Sequence, residues 1–142
     1  MSVKGEQRNA TRNQSTVDIS RENIFLYNNR YQEANLIASE QDLSGMESGI
    51  LLVRNGANVE PAGADNLADV IGILKIDGTV DLTSGDKLGV NYCISGDIDS
   101  SLLKLPAGIT LDTAAGNKAL KDSLTGLGFV LFNVTENSKF DN

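Results

Sequence analysis

The chain contains no histidine and no tryptophan, a single cysteine (Cys93) and two prolines in 142 residues. Without histidine there is no imidazole to serve as a base near neutral pH. Ser-His-Asp and Cys-His nucleophile systems are therefore excluded, together with the commonest metal ligand. One cysteine forbids an internal disulfide and any thiolate-built zinc site. Aromatic residues make up 5% of the chain, which leaves little to stack on a sugar ring. Long apolar runs are missing too. Phe129-Val130-Leu131-Phe132 is far short of the roughly 20 residues of a spanning helix. The first thirty residues hold Lys4, Arg8, Arg12, Arg21 and Arg30 and no apolar stretch of about seven or more, so no signal peptide is expected.

Positive charge is scarce overall. Twelve basic residues face nineteen acidic ones, for a net charge of −7. That balance argues against a body that grips nucleic acid or anionic lipid, since either partner requires a basic face. The imbalance is also uneven along the chain. Residues 1–30 carry five positive and three negative charges, whereas residues 31–142 carry seven and sixteen.

What is present is enough for one domain of ordinary size with a real core. The first twenty-one residues are poor in apolar side chains, with Val3, Ala10, Val17 and Ile19 nearly all of them. Such a segment buries too little surface to offset its ordering entropy, so a flexible N-terminal arm over residues 1–21 is expected. Thr16-Val17-Asp18-Ile19-Ser20 nonetheless alternates polar and β-branched residues, the pattern of a strand awaiting a sheet edge.

From residue 22 onward the pattern is β. Ile24-Phe25-Leu26-Tyr27 reads as a short strand closed by a turn at Asn28-Asn29, and Tyr31 to Ala38 as the next. Asn55-Gly56 between apolar runs predicts a hairpin through a type I′ turn, and Asp77-Gly78 predicts a second one joining Val70–Ile76 to Thr79–Leu82. Val90, Tyr92 and Ile94 alternate on the core face of another strand, and Phe129 to Val134 forms the last. Gly72, between Ile71 and Ile73, marks a bulge or a close backbone approach. One helix is expected, capped by Asp112 or Thr113, with Leu120, Leu124 and Leu127 on one face and Gly126 or Gly128 as its stop. The fold class is mainly β: a small barrel- or sandwich-like β-rich domain over residues 22–142, with one short C-terminal helix.

No catalytic constellation emerges. Gly96-Asp97-Ile98-Asp99-Ser100-Ser101 opens like a calcium loop, but Leu102 stands where that loop needs glycine and no glutamate closes it. Neither Gly116-Asn117-Lys118 nor Gly126-Leu127-Gly128 has the spacing of a phosphate loop. Asp65 and Asp69 read as acidic loop residues rather than an acid–base pair. Cys93 falls on the polar face of its strand with no cationic neighbour in sequence, the setting of a half-buried filler rather than a nucleophile.

Ser48-Gly49-Ile50-Leu51-Leu52-Val53, then Ala68-Asp69-Val70-Ile71-Gly72-Ile73-Leu74, a short helix and a closing β-run together resemble the head decoration proteins of tailed bacteriophages, the lambda protein D-like capsid-stabilising family. Glu22-Asn23-Ile24-Phe25-Leu26 leading to Tyr31-Gln32-Glu33-Ala34 is similar to the entry strands of prophage-encoded members. The resemblance spans residues 22–142. The arm departs from it, being poor in proline where the family's is rich in Pro, Gly and Thr. The resemblance implies a non-enzymatic protein without cofactor or metal, made in the bacterial cytoplasm. It would bind the outer surface of an expanded phage capsid as homotrimers and stabilise the shell against the pressure of packaged DNA. Its partners would be the major capsid protein and itself, with no direct contact to nucleic acid or membrane. In that setting Thr16, Val17, Asp18, Ile19 and Ser20, continuing into Ile24 and Phe25, would add a strand to a capsid subunit, and Arg8, Arg12 and Arg21 would meet acidic surface. The alternatives are another virion component (a head fibre base, neck or tail protein) or a β-rich surface-display module.

Overall fold

The apolar run that begins at Ile24 enters one long strand instead of two short ones. In the computed structural model, which describes residues 23–133, β1 (Phe25–Ile37) pairs antiparallel along its length with β7 (Lys87–Asp99). Asn28-Asn29 does not reverse the chain. Phe25 lies opposite Ile98 and Tyr27 opposite Asp97, which leaves Leu26 as an extra residue, and a further extra residue falls between Tyr27 and Arg30. Asn28 adopts φ 58° there, a conformation that asparagine tolerates better than most side chains. The two asparagines therefore make a bulge, which bends and twists the ribbon without ending it.

The first expected hairpin is present. β3 (Leu51–Asn55) and β4 (Asn58–Pro61) pair through a two-residue loop, Gly56-Ala57. The positive φ of 64° sits on Gly56, the first loop residue, which is the type II′ pattern and not the expected type I′. The second expected hairpin does not form. β5 (Val70–Lys75) already has both edges filled, Ile73 lying opposite Leu51 on one side and Cys93 on the other. After Asp77-Gly78, β6 (Val80–Leu82) instead pairs with β2 (Leu43–Met46). Ser48 closes off the end of β5, its Oγ donating to the Ile76 carbonyl at 2.8 Å and accepting the Ile76 N–H at 2.9 Å.

β4 meets β1 in parallel where Leu36 faces Val59. The circuit β1–β4–β3–β5–β7 thereby closes on itself, and β10 (Phe129–Phe132) joins parallel to β7 beyond the point where β5 departs. Gly72 combines both readings of its sequence position. Ile71 is the extra residue where β5 passes β3, and a Cβ on Gly72 would stand 2.5 Å from the Cys93 carbonyl oxygen.

Successive residues of these strands feed two cores on opposite faces. One gathers Leu36, Leu52, Val59, Leu74, Val90 and Tyr92 with Met46 and Leu82 from β2 and β6. The other gathers Leu51, Val53, Ile73, Cys93 and Ile98 with Ile24, Phe25 and Phe129. It is covered by α1 (Leu120–Leu127), which contributes Leu120 and Leu124. Asp112 and Thr113 do not cap α1 with their side chains. The backbone carbonyls of Thr113 and Leu111 accept the N–H groups of Leu120 and Lys121 at 2.8 and 2.9 Å, and the Asp112 carboxylate pairs with Lys121 Nζ at 2.8 Å. A two-residue ribbon, β8 (Ala114–Ala115) with β9 (Lys118–Ala119), intervenes between them and the helix. Gly128, at φ 115°, ends the helix as a left-handed cap. The protein is thus mainly β, with one short α-helix among the described residues.

Candidate functional site

Strict alternation would put Phe25 and Tyr27 on one face of the sheet. The extra residue Leu26 puts them on opposite faces, so Phe25 is buried while Tyr27 is 70% exposed. Tyr27 stands opposite Asp97 on β7, and Asp97 stands opposite Val130 on β10. The three side chains form a row across three strands. Val130 is 50% exposed, and Phe132, two residues along and on the same face, is 39% exposed. Among the described residues the exposed large apolar side chains are Tyr27, Tyr31, Leu127, Val130 and Phe132. Three of these five, Tyr27, Val130 and Phe132, share one face, with Asp97 between Tyr27 and Val130.

Among the described residues β10 pairs with β7 alone, and Phe129-Val130-Leu131-Phe132 has neither the charge nor the proline that usually blunts an edge strand. Asp97, in the middle of the row, has no ion-pair partner among the described residues. Both ends of the described chain meet at this place. The Ile24 carbonyl accepts the Asp99 N–H at 2.8 Å, and the Ser100 hydroxyl donates to the Phe132 carbonyl at 3.0 Å. Residues 1–22 and 134–142 therefore join the fold on either side of the end of β7.

Of the side chains that sequence reasoning assigned to capsid contact, Arg8, Arg12, Thr16, Val17, Asp18, Ile19, Ser20 and Arg21 lie outside the described residues. Ile24 and Phe25 are within them, and both side chains are buried in the helix-covered core.

Cys93 is likewise relocated. It is fully buried, because both faces of β7 are covered at that point. Burial pushes its thiol pKa up, and a hydrogen bond from Asn29 Nδ2 to Sγ at 3.7 Å offsets part of the rise; the thiol itself donates to the Ser95 carbonyl at 3.2 Å. A buried, protonated thiol is not a nucleophile. Burial, with a contribution from Cys93, also raises the Tyr31 phenol.

The described carboxylates that the sequence singled out lie apart from one another in role. Asp97 and Asp99 lie within β7 and not in a calcium-type loop. Asp99 is buried, and its Oδ1 accepts from the Ser101 N–H at 3.1 Å and the Ser101 hydroxyl at 2.6 Å. Asp65 and Asp69 are exposed around a short 3-10 turn. Among the described residues no three His, Cys, Asp or Glu side chains are grouped to hold a metal ion, and no helix is long and apolar enough to cross a membrane. The open cleft between β1 and the end of β5 is lined by Glu33, Asn35, Asn58, Lys75, Asp77 and Asn91. It is an open, mostly polar surface.

The exposed row was missed in the sequence because it depends on a bulge. The available signal was the four-residue apolar run of β10, one face of which would have sufficed to bury it against a core. No family model matches the chain, and no curated protein matches it.

Proposed function

We propose that this protein is a non-enzymatic decoration protein of a tailed-phage head, which binds the outside of an expanded capsid as trimers and stabilises the shell. The observation that supports this reading is the apolar row Tyr27–Val130–Phe132 at the end of the sheet where residues 1–22 enter. A clamp requires a rigid body, an adhesive face and an adjoining strand-forming segment. Two cores on either side of one set of strands supply the first. The exposed row supplies the second, and Thr16–Ser20 the third. The major capsid protein is the proposed partner. Main-chain pairing to Thr16–Ser20 would give affinity, and Val17 and Ile19 would give register. Three linked copies would convert weak contacts into avid attachment.

The test is co-sedimentation with expanded, DNA-free capsids of the same phage, comparing the full-length protein with a form lacking residues 1–21. Saturable binding by the full-length protein alone is expected. Equal binding by both forms would remove the arm from the mechanism. Absence of binding by either would overturn the decoration reading and direct the search to tail, neck and fibre proteins.

A further inference from the structure

The cleft between β1 and the end of β5 is a polar bay on the same face of the sheet that α1 covers further along, at Cys93 and Ile73. Glu33, Asn91 and Lys75 stand in one row across β1, β7 and β5. Two residues on, Asn35 stands opposite Gly89, with Asn58 on the neighbouring parallel strand β4, and Asp77 completes the lining. We infer that this bay, about 740 Å³ in volume, is a binding site for a neutral saccharide. The inference stands apart from the capsid reading, because the bay lies at the opposite end of the β1–β7 ladder from Tyr27.

Three observations carry it. The first is unused hydrogen-bonding capacity. Asparagine is disfavoured in strands, yet Asn35 and Asn91 lie inside β1 and β7, and Asn58 begins β4. The side chains of all three, with those of Glu33 and Asp77, have no hydrogen-bond partner among the described residues. Asn29, Asn55 and Asn66, by contrast, are each bonded within the fold. A carboxamide offers both donors and an acceptor, and a hydroxyl answers both. The second is Gly89. Glycine weakens a strand interior and often marks a place where a ligand or another backbone approaches closely. The φ of Gly89 is not left-handed, and a Cβ there would meet only Asn35 Oδ1, at 3.9 Å. Neither backbone conformation nor packing demands glycine at this position. What it provides is an open floor on which a sugar ring can reach the sheet. The third is what the lining disfavours. Two carboxylates against Lys75 repel an anion, and an apolar ligand would leave the amides without partners. Among the described residues no three His, Cys, Asp or Glu side chains are grouped for a metal ion. A peptide cannot add here as a strand, because β1 and β7 have neighbours on both sides. Recognition therefore rests on hydrogen bonds more than on stacking. Tyr31, 40% exposed, stands at one end of the bay with Lys75 Nζ 5.6 Å from its ring centroid.

The test is an NMR titration of the isotope-labelled, full-length protein with maltotriose, cellotriose and triacetylchitotriose, with glycerol at matched hydroxyl concentration as the control. At least one trisaccharide should give saturable shifts of the Asn35, Asn58 and Asn91 side-chain amides and of the Gly89 N–H, with a Kd on the order of 1 mM. Gly89→Val, which fills the floor, should abolish these shifts. Asn91→Ala, which removes one set of hydrogen bonds, should weaken binding about tenfold. Both variants should unfold in urea as the parent does; if Gly89→Val does not fold, Asn91→Ala and Asn35→Ala carry the test. Shifts that no trisaccharide brings to saturation, or that glycerol reproduces, would overturn the inference. So would saturable binding that maps to other residues, or undiminished binding by both variants. Tighter binding of trigalacturonate than of any neutral trisaccharide would also overturn it, by making the ligand an anion.

Discussion

Gly96 and Asn29 share one space. A Cβ on Gly96 would stand 2.7 Å from the Asn29 Cα and 2.8 Å from the Asn28 carbonyl oxygen, and Gly96 itself adopts φ 120°. The missing side chain on β7 lets the bulge of β1 fold down against it, where Asn29 Nδ2 bonds the Asp97 carbonyl at 3.1 Å. Tyr27 lies just before this bulge and is turned outward by a separate extra residue, Leu26.

Gly96→Ala should therefore be costly on two counts, a left-handed backbone and a clash with backbone atoms that cannot swing away. A loss of about 2–4 kcal/mol is expected, read from urea unfolding. Gly63→Ala is the control. Its added methyl meets nothing within 4 Å and its φ is not left-handed, so stability should stay within about 1 kcal/mol of the parent.

Gly72→Ala tests close approach without backbone strain. Its Cβ would lie 2.5 Å from the Cys93 carbonyl oxygen and 2.7 Å from Tyr92 Cδ2. The Tyr92 ring is buried and the carbonyl is fixed in the β5–β7 ladder, so the strands must separate. A loss of about 1–3 kcal/mol is expected, with faster amide exchange at Ile73 and Leu74. Unchanged stability would show that β5 can shift along β7.

Tyr92 carries the one hydroxyl in its core. Arg54 Nη2 donates to it at 2.8 Å, and it donates to Gln32 Oε1 at 2.8 Å. Tyr92→Phe keeps the ring and breaks both bonds, but Arg54 and Gln32 are exposed enough to find water. The cost should be about 1 kcal/mol. Tyr92→Ala, which empties the site, should cost about 3–5 kcal/mol. Similar losses for the two variants would mean the hydrogen bonds outweigh the packing.

Cys93 gives stability a dependence on pH. Burial raises the thiol pKa in the folded protein, so above the ordinary thiol pKa of about 8.5 the folded chain holds more protons than the unfolded one. Stability from this group is complete below that pH and falls as pH rises, by at most about 1.4 kcal/mol per pH unit. Between pH 7.5 and 9.5 the natural protein should lose more stability than Cys93→Ala, whatever the two start from. Parallel profiles would show that the thiol does not contribute.

Much of the fold was legible because its signals are local. Asn55-Gly56 announced the β3–β4 hairpin, Leu120 and Leu124 announced the buried face of the helix, and Gly128 its end. What was not legible depends on edges that are filled from far away in sequence. Asp77-Gly78 looks like any hairpin turn, but Leu51 and Cys93 already occupy both sides of Ile73. Cys93 was placed on a polar face because alternation assumes one covered face, whereas α1 covers the other. The outward direction of Tyr27 was hidden for a similar reason. One extra residue inverts a period of two, and nothing in Phe25-Leu26-Tyr27 says which residue is extra.

The meeting of both described ends beside Asp99 has a mechanical consequence. Residues 24 and 132 flank one strand, about 10 Å apart across two strand spacings. Tension applied between the two ends would enter and leave the molecule at nearly the same point. Such a load peels β1 and β10 away from β7 a few bonds at a time, loading the edge of the helix-covered core at Ile24, Phe25 and Phe129 while the other core stays unstressed. A pull shared between one end and the far side of the barrel would instead shear the whole length of the β1–β7 ladder at once. The fold is therefore weak when tethered by its two ends, and strong when held by one end with its body pressed against a surface.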